Sequence, residues 1–459
     1  MQAPSRGAGS QPAASRLVST PRRVHAGILL GLAVLAILAY LPVFHQPLIQ
    51  DDYPNIEQSR EFSPVSGWPS LLSNGVFRYR ATWYVVTHWV DRWFESPAAF
   101  YAVSLVLHIL CVWLVYALGA WRLIGWRISP VAAAFFAVHE GHQEAVMWYS
   151  ASAELLMFLF GALSLLCWAR VVDKKGGWKW YAASLLSFVA ALLSKESAVA
   201  FAALLVLPLL GSRAARRALL WWLPFGALAA ADQRLIFSGR AYSFRFHDGS
   251  FSLAAPFYIT LPVSCARLLW PWGLLALLAL FVLRAKQHRQ VVRVAALWIV
   301  LSFLPYSFLT YMHRIPSRQT YLASLGLAWI VAAGFWALQS RLRLYRSAVI
   351  ASVAAIVLAS NIGYIWTKKR LQFADRAAPV EALVALAQRT NGPIYMRSFP
   401  DPQIVYESAV RMRLDKPVLL IWDEASRNQA AAEFAWPPRS RPTTSSDTPA
   451  PPAPSPASP

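Results

Sequence analysis

The chain has 459 residues, 57% of them apolar and only 14% charged, with a mean hydropathy of +0.41. A water-covered protein carries about 25% charged residues, so this composition excludes a string of soluble domains and predicts a polytopic membrane protein. The 43 Lys and Arg exceed the 22 Asp and Glu, which in such a chain reflects basic loops on one side of the bilayer. No basic helix or RNA-binding motif accompanies the excess, so nucleic acid is not an expected partner. Cys111, Cys167 and Cys265 sit in or beside apolar stretches, without metal or disulfide spacing.

Residues 1–24 are rich in Gly, Ala, Ser and Pro, with Arg6, Arg16, Arg22 and Arg23, and read as a disordered basic N-terminus. The apolar run Ala26–Phe44 lacks a small-residue cleavage site and reads as an uncleaved first span. Further spans are expected near 98–121, 128–138, 150–169, 180–194, 197–210, 218–231, 256–283, 294–310, 320–338 and 347–366. Within 256–283, Pro256, Pro262 and Pro271 mark residues 256–270 as a separable re-entrant or surface piece.

With the N-terminus inside, alternate loops hold Arg122 and Arg127; Arg170, Lys174, Lys175 and Lys179; Arg213, Arg216 and Arg217; Arg284, Lys286, Arg289 and Arg293; and Arg341, Arg343 and Arg346. That asymmetry predicts a cytoplasmic N-terminus and an outside C-terminus, with Lys368, Lys369 and Arg370 as exceptions. The expected fold is an all-α polytopic membrane protein of about eleven transmembrane helices with a small extracytoplasmic α/β appendage.

The long loop after the first span contains Phe77–Phe94, where Trp83, Val86, Val90 and Trp93 form one helical stripe and Arg80, Thr87 and Asp91 the other side. That pattern predicts a helix lying in the membrane interface. Residues 25–370 form the membrane domain, and 371–430 the appendage. In the latter a helix over 372–391, a strand over 393–397, a helix over 402–413 and a strand over 417–422 are expected. Residues 436–459 hold 9 Pro and form a disordered tail.

Four ionisable clusters fall at the expected outer ends of spans: Asp51-Asp52, His139 to Glu144, Lys195-Glu196, and His313-Arg314 with Arg318 and Tyr321. Charges beside apolar spans are costly unless paired or facing water, so four on one face point to one polar cavity. Carboxylates there take a proton from an acceptor hydroxyl, and cations hold a lipid phosphate as it leaves. Each cluster also has a plainer reading. Asp51-Asp52 fits a solvated turn before Pro54, although it ends a stretch of fifty residues without an acid. His139, His142 and Glu144 have no zincin spacing and do not share one helical face, so a hydrogen-bonded wall is expected over a zinc site. Lys195-Glu196 fits a local ion pair, and Arg314 and Arg318 fit interfacial snorkelling.

The motifs, in this order, resemble the GT-C superfamily of membrane glycosyltransferases, nearest to protein O-mannosyltransferases and transmembrane-TPR mannosyltransferase-like proteins. Asp51-Asp52 resembles the acidic pair of the first outer loop, and Tyr79-Arg80-Ala81 a Y-R-P element. His139–Val146 resembles H-P-x-H-x-E-A-V, Ser194-Lys195-Glu196 resembles S-K-E, and Arg318–Gly326 resembles R-Y-x-Y-L-P-S-L-G. Glu140 replaces the usual Pro, Ser152 stands where many relatives have Arg, and no TPR array follows.

The resemblance implies a polyprenyl-phosphate-linked sugar donor and an acceptor that is a protein, lipid or polysaccharide. It implies a site at the outer face of the plasma (inner) membrane. Asp51 would be the base and Asp52 would orient it or contact the sugar; Arg318 and Lys195 would touch phosphate; Arg80, His139, His142, Glu144, Glu196 and Tyr321 would line the site. No cofactor follows with certainty, because members of the family differ in their need for a divalent metal. The alternatives are a transporter or flippase of lipid-linked saccharide, a non-catalytic scaffold with the same body, and a lipid-modifying or polysaccharide ligase.

Overall fold

The computed structural model describes residues 22–61, 66–74, 77–94, 96–173, 175–210, 215–240, 255–308, 314–341, 346–414 and 416–436. His313, the N-terminal segment before Arg22 and the tail beyond Trp436 lie outside the described residues. The chain divides into two compact units, one of Met1–Leu48 with Asn55–Ala374 and one of Ile49–Pro54 with Asp375–Pro459.

The first unit is helical. Its principal helices are α1 (Arg22–Tyr40), α2 (Ala81–Trp93), α3 (Pro97–Ala117), α4 (Ser129–Val138), α5 (Ala153–Val172), α6 (Trp178–Leu192), α7 (Ala215–Arg240), α8 (Phe257–Leu269), α9 (Trp272–Val282), α10 (Arg289–Phe303), α11 (Ser324–Arg341) and α12 (Arg346–Tyr364). Local chemistry sets some starts. The Ser96 hydroxyl accepts the Ala98 N–H at 3.3 Å and Pro97 occupies the first turn of α3, an arrangement that satisfies an orphan donor and presets φ.

Among the described residues five helical stretches are long and apolar enough to cross a bilayer: Arg22–His45, Pro97–Ala120, Tyr149–Val172, Lys286–Tyr306 and Ser347–Arg389. The pair α8 and α9 makes a sixth if counted as one broken span, bent by 79°. This is a multi-pass helical membrane protein, and among the described residues five or six full-length spans stand against the about eleven expected. At about 1.5 Å per residue, the 10 residues of α4 and the 15 of α6 fall short of a hydrocarbon core of about 30 Å. The break before Trp272 matches the expectation that residues 256–270 form a separate piece.

Contacts order the ends of the bundle. At one end His25 Nδ1 on α1 lies 2.6 Å from the Tyr116 hydroxyl of α3, and its ring meets Trp126. Arg122, just after α3, pairs with Asp173 at the end of α5 at 3.1 Å. The Arg341 guanidinium of α11 donates to the Leu283 carbonyl at 3.2 Å, and Arg127 covers the Trp336 ring at 4.6 Å. At the opposite ends of these helices, the Tyr40 hydroxyl donates to the His139 carbonyl at 3.0 Å, and His142 meets Ser324 at the start of α11. Two glycines bring α11 close to its neighbours. A Cβ at Gly326 would fall 2.6 Å from the Ala295 carbonyl oxygen, and one at Gly334 2.9 Å from the Ala276 Cα. Small residues are how membrane helices gain such close packing.

One expectation fails on α2. Its buried residues are Ala81, Trp83, Tyr84, Thr87 and Val90, whereas Trp93 is largely exposed. Thr87 therefore belongs to the inward face. Its hydroxyl lies 2.8 Å from the Trp83 carbonyl and 2.9 Å from the Tyr149 hydroxyl, and those bonds remove the cost of burying it.

The second unit holds a three-stranded parallel sheet of β1 (Ile394–Ser398), β2 (Leu420–Ile421) and β3 (Ala432–Ala435), in the order β2-β1-β3. The helix α13 (Arg370–Arg389) continues from α12 through a π-turn at Ile365–Lys369 and precedes β1. A further helix, α14 (Gln403–Arg413), links β1 to β2. The expected strand over 417–422 shrinks to two residues, and β3 was not anticipated.

Candidate functional site

In the first unit, three breaks in the helices carry the polar residues. The turn after α4, Glu140–His142, runs into a short helix Gln143–Met147. A Cβ at Gly141 would come 2.7 Å from His139 Nε2, so glycine lets this turn fold back on the imidazole. The second break, Ser194-Lys195, lies between α6 and the turn Glu196–Val199. The third, Ser317–Thr320, precedes α11.

The first and third breaks join. The Glu144 carboxylate accepts the Arg318 backbone N–H at 3.0 Å, and the Gln143 amide donates to the Ser317 hydroxyl at 3.0 Å. The Ser324 hydroxyl donates to the Tyr321 carbonyl at 2.7 Å, which leaves it to accept His142 Nε2–H at 2.6 Å. The Tyr321 hydroxyl lies 2.8 Å from His108 Nδ1, and His108 Nε2 lies 3.1 Å from the Ala137 carbonyl. A carbonyl only accepts, so His108 carries its proton on Nε2 and accepts a hydrogen bond from the Tyr321 hydroxyl on Nδ1. The Arg318 guanidinium stacks on Trp148, 4.8 Å from the ring centroid, and makes no ion pair among the described residues.

The second break joins through an unexpected partner. Lys195 Nζ lies 2.9 Å from Glu154 Oε1, with both side chains buried, so the anticipated local pair of Lys195 with Glu196 is replaced by one across to α5. The Tyr306 hydroxyl donates to the other Glu154 oxygen at 3.4 Å. Glu196 is half-buried, and its carbonyl accepts from Gln233 at 3.2 Å. The Thr82 N–H donates to the Leu193 carbonyl at 3.1 Å, and the Thr82 and Ser194 hydroxyls lie 2.7 Å apart. The Tyr79-Arg80 turn therefore adjoins the Lys195 turn; the half-buried Arg80 has its guanidinium 5.5 Å from the Tyr79 ring centroid.

Burial keeps the histidines of the first break neutral. It pushes His139 down to about 4, opposed by a hydrogen bond to the Asn361 side chain. It pushes His142 well below the usual range, helped by the neighbouring His139 and His108. Burial raises Glu140, against the pull of Lys369 and Arg267. Among the described residues no three His, Cys, Asp or Glu side chains gather as metal ligands. His142 places Nε2 on the Ser324 hydroxyl, a hydrogen bond between the first and third breaks.

Asp51 and Asp52 belong to the second unit. There they differ: Asp51 is exposed, whereas Asp52 is fully buried and accepts the Ile49 N–H at 3.0 Å. Beside them the Gln50 amide donates to Asp401 at 2.9 Å, and Gln50 Oε1 accepts from Arg376. The Arg413 guanidinium reaches the Tyr53 hydroxyl at 3.3 Å and Glu381 at 2.8 Å.

His108, Glu154 and Tyr306 were not singled out in the sequence. For Glu154 a signal exists, since an acid at the head of an apolar helix is costly without a partner.

No family model matches the chain. No curated protein matches it either. Among solved structures, the crystal structure of the Archaeoglobus fulgidus oligosaccharyltransferase in the apo form is similar, with a TM-score of 0.48 and 11% identity. The match covers 88% of this chain and 65% of that one, so this chain spans less than two thirds of that protein.

Proposed function

We propose that the chain is a GT-C-type membrane glycosyltransferase, near to the mannosyltransferase-like families. It moves a hexose such as mannose from a polyprenyl phosphate to an acceptor hydroxyl at the extracytoplasmic face of the inner membrane. Two things support this reading: the ordered likeness of five motifs, and the pairwise joining of four of them, the His139 motif with the Arg318 motif and the Tyr79-Arg80 turn with the Ser194-Lys195 turn. The observation that carries it is Arg318, whose backbone is held by Glu144 and whose guanidinium stacks on Trp148 without an ion pair of its own among the described residues. A planar guanidinium fixed in place is suited to a departing phosphate.

In this reading the acceptor hydroxyl gives its proton to Asp51 as its oxygen attacks the anomeric carbon. The bond from that carbon to the phosphate oxygen breaks, and the lipid phosphate leaves with the electron pair. Attack opposite the leaving group inverts the anomeric centre. The exposure of Asp51 suits a base, while the buried Asp52 holds the turn. Arg318 is the stronger phosphate candidate, since Lys195 already shares its charge with Glu154. Arg80 and Glu196 border the second break, and Tyr321, buried with its hydroxyl on His108, supports the wall of the site.

The test compares surface glycans, glycolipids and glycoproteins by mass spectrometry in cells with the chain, without it, and with Asp51→Asn. Loss of one hexose in both the deletion and the variant is expected. Loss in the deletion alone removes Asp51 from the mechanism. An unchanged set, with lipid-linked saccharide accumulating on one leaflet, favours the flippase.

A further inference from the structure

A second feature lies at the other end of the first unit. The segment Val282–Arg289, between α9 and α10, opens a cleft of about 670 Å³. Its walls divide by chemistry. Arg284, Lys286, Arg289 and Arg293 form one part, and Leu277, Leu280, Phe281 and Val292 the other.

The four cations are exposed and make no ion pair among the described residues. No acid in the neighbouring sequence can neutralise them, because the chain has no Asp or Glu between Asp248 and Asp375. The nearby Arg341 donates to the Leu283 carbonyl at 3.2 Å, and so adds positive charge. A concentration of uncompensated charge calls for an anion.

The backbone supports the same reading. Arg284 has φ +47°, the left-handed conformation that glycine usually takes after a helix. It closes α9 with the Ala285 N–H on the Leu280 carbonyl at 3.0 Å. A non-glycine residue in that conformation is strained, and such strain collects at functional positions.

The apolar wall selects among anions. Phe281 is 82% exposed and Val282 64%, on the end of a helix of the broken span. Free inorganic phosphate has no use for that surface; an acyl chain does. The cleft lies at the end of α11 opposite Ser324, so a ligand here does not occupy the histidine site. We propose that this cleft binds an anionic phospholipid, with the headgroup phosphate on Arg284, Arg289 and Arg293 and an acyl chain along Leu277, Leu280 and Phe281. Basic pockets between membrane helices hold such headgroups.

The experiment uses the full chain in neutral phosphatidylcholine nanodiscs, titrated with phosphatidylglycerol while bound lipids are counted by native mass spectrometry. Saturable binding of phosphatidylglycerol is expected, weakened about fivefold for each cation removed in Arg289→Gln, Arg293→Gln and the double variant. Lys175→Gln, which removes an exposed cation elsewhere, should leave the affinity unchanged. Thermal unfolding in neutral lipid checks that each variant is folded; if the double variant is not, the single ones decide. Binding by the Arg289→Gln and Arg293→Gln variants as tight as the parent chain's overturns the proposal. So does an equal loss in Lys175→Gln, which makes the effect one of net charge. Inorganic phosphate competing at the same concentration as the lipid overturns the lipid as occupant.

Discussion

The Lys195 ammonium sits 2.9 Å from the Glu154 carboxylate, and the two side chains are 6% and 1% exposed. This pair ties the turn after α6 to the head of α5. With so little water to screen or replace either charge, each depends on the other. Lys195→Met strands the Glu154 carboxylate and should cost about 3–5 kcal/mol of stability. The double variant Lys195→Met with Glu154→Gln removes both charges and should recover most of that loss. Thermal unfolding in detergent measures both. A double variant as unstable as the single one would mean that the lysine acts through packing.

Arg318 separates backbone from side chain. Its N–H holds Glu144 in any variant, whereas the guanidinium over Trp148 is lost in Arg318→Ala. Under the proposed function, that variant should raise the KM for the lipid-phosphate donor by about tenfold or more and leave the acceptor KM nearly unchanged, on the scale of a charge-assisted hydrogen bond. Arg318→Lys keeps the charge without the planar fork and should fall between. An equal rise in both constants would remove Arg318 from the donor phosphate.

The two adjacent aspartates should part company. Asp51→Asn removes an exposed carboxylate with no partner among the described residues, so unfolding should be unchanged, while under the proposed function transfer falls by orders of magnitude. Asp52 is fully buried and accepts the Ile49 N–H. Asp52→Ala should cost about 1–3 kcal/mol, the scale of an unsatisfied buried donor. Proteolysis of the second unit and transfer assays on both variants distinguish the roles. Full activity in Asp51→Asn, or unchanged stability in Asp52→Ala, would contradict the assignment.

What was legible in the sequence is what depends on local pattern. Helical runs stood out by hydropathy, Pro271 announced the break between α8 and α9, and a short apolar run after Pro393 announced β1. The motifs were legible as strings, but their pairing was not. His142 and Ser324 are 182 positions apart, and no periodicity links them. Glu154 lies only two residues from Ser152, yet its partner comes from a turn that follows a different helix. Thr87 looked polar and outward because only a tertiary neighbour, Tyr149, makes its burial affordable. The strand β3 escaped because it has four residues and only Phe434 buried.

The neutral histidines make acid a specific threat to the fold. Burial holds His139 down to about 4, whereas in the unfolded chain its pKa is about 6.5. Between those values the unfolded chain binds the extra proton, so stability falls as pH drops through that window and is fully present above it. The slope from one histidine is at most about 1.4 kcal/mol per pH unit, or roughly 3 kcal/mol across the window. His142 is displaced in the same direction and steepens the loss. His139→Gln takes one titrating group away, so its unfolding temperature should depend less on pH between 4 and 6.5 than that of the parent chain. The comparison must be made by slope, because the substitution also disturbs packing against Phe135, whose ring centroid lies 5.1 Å from that of His139. Parallel slopes in the two proteins would mean that His139 takes up its proton in the folded chain as readily as in the unfolded one.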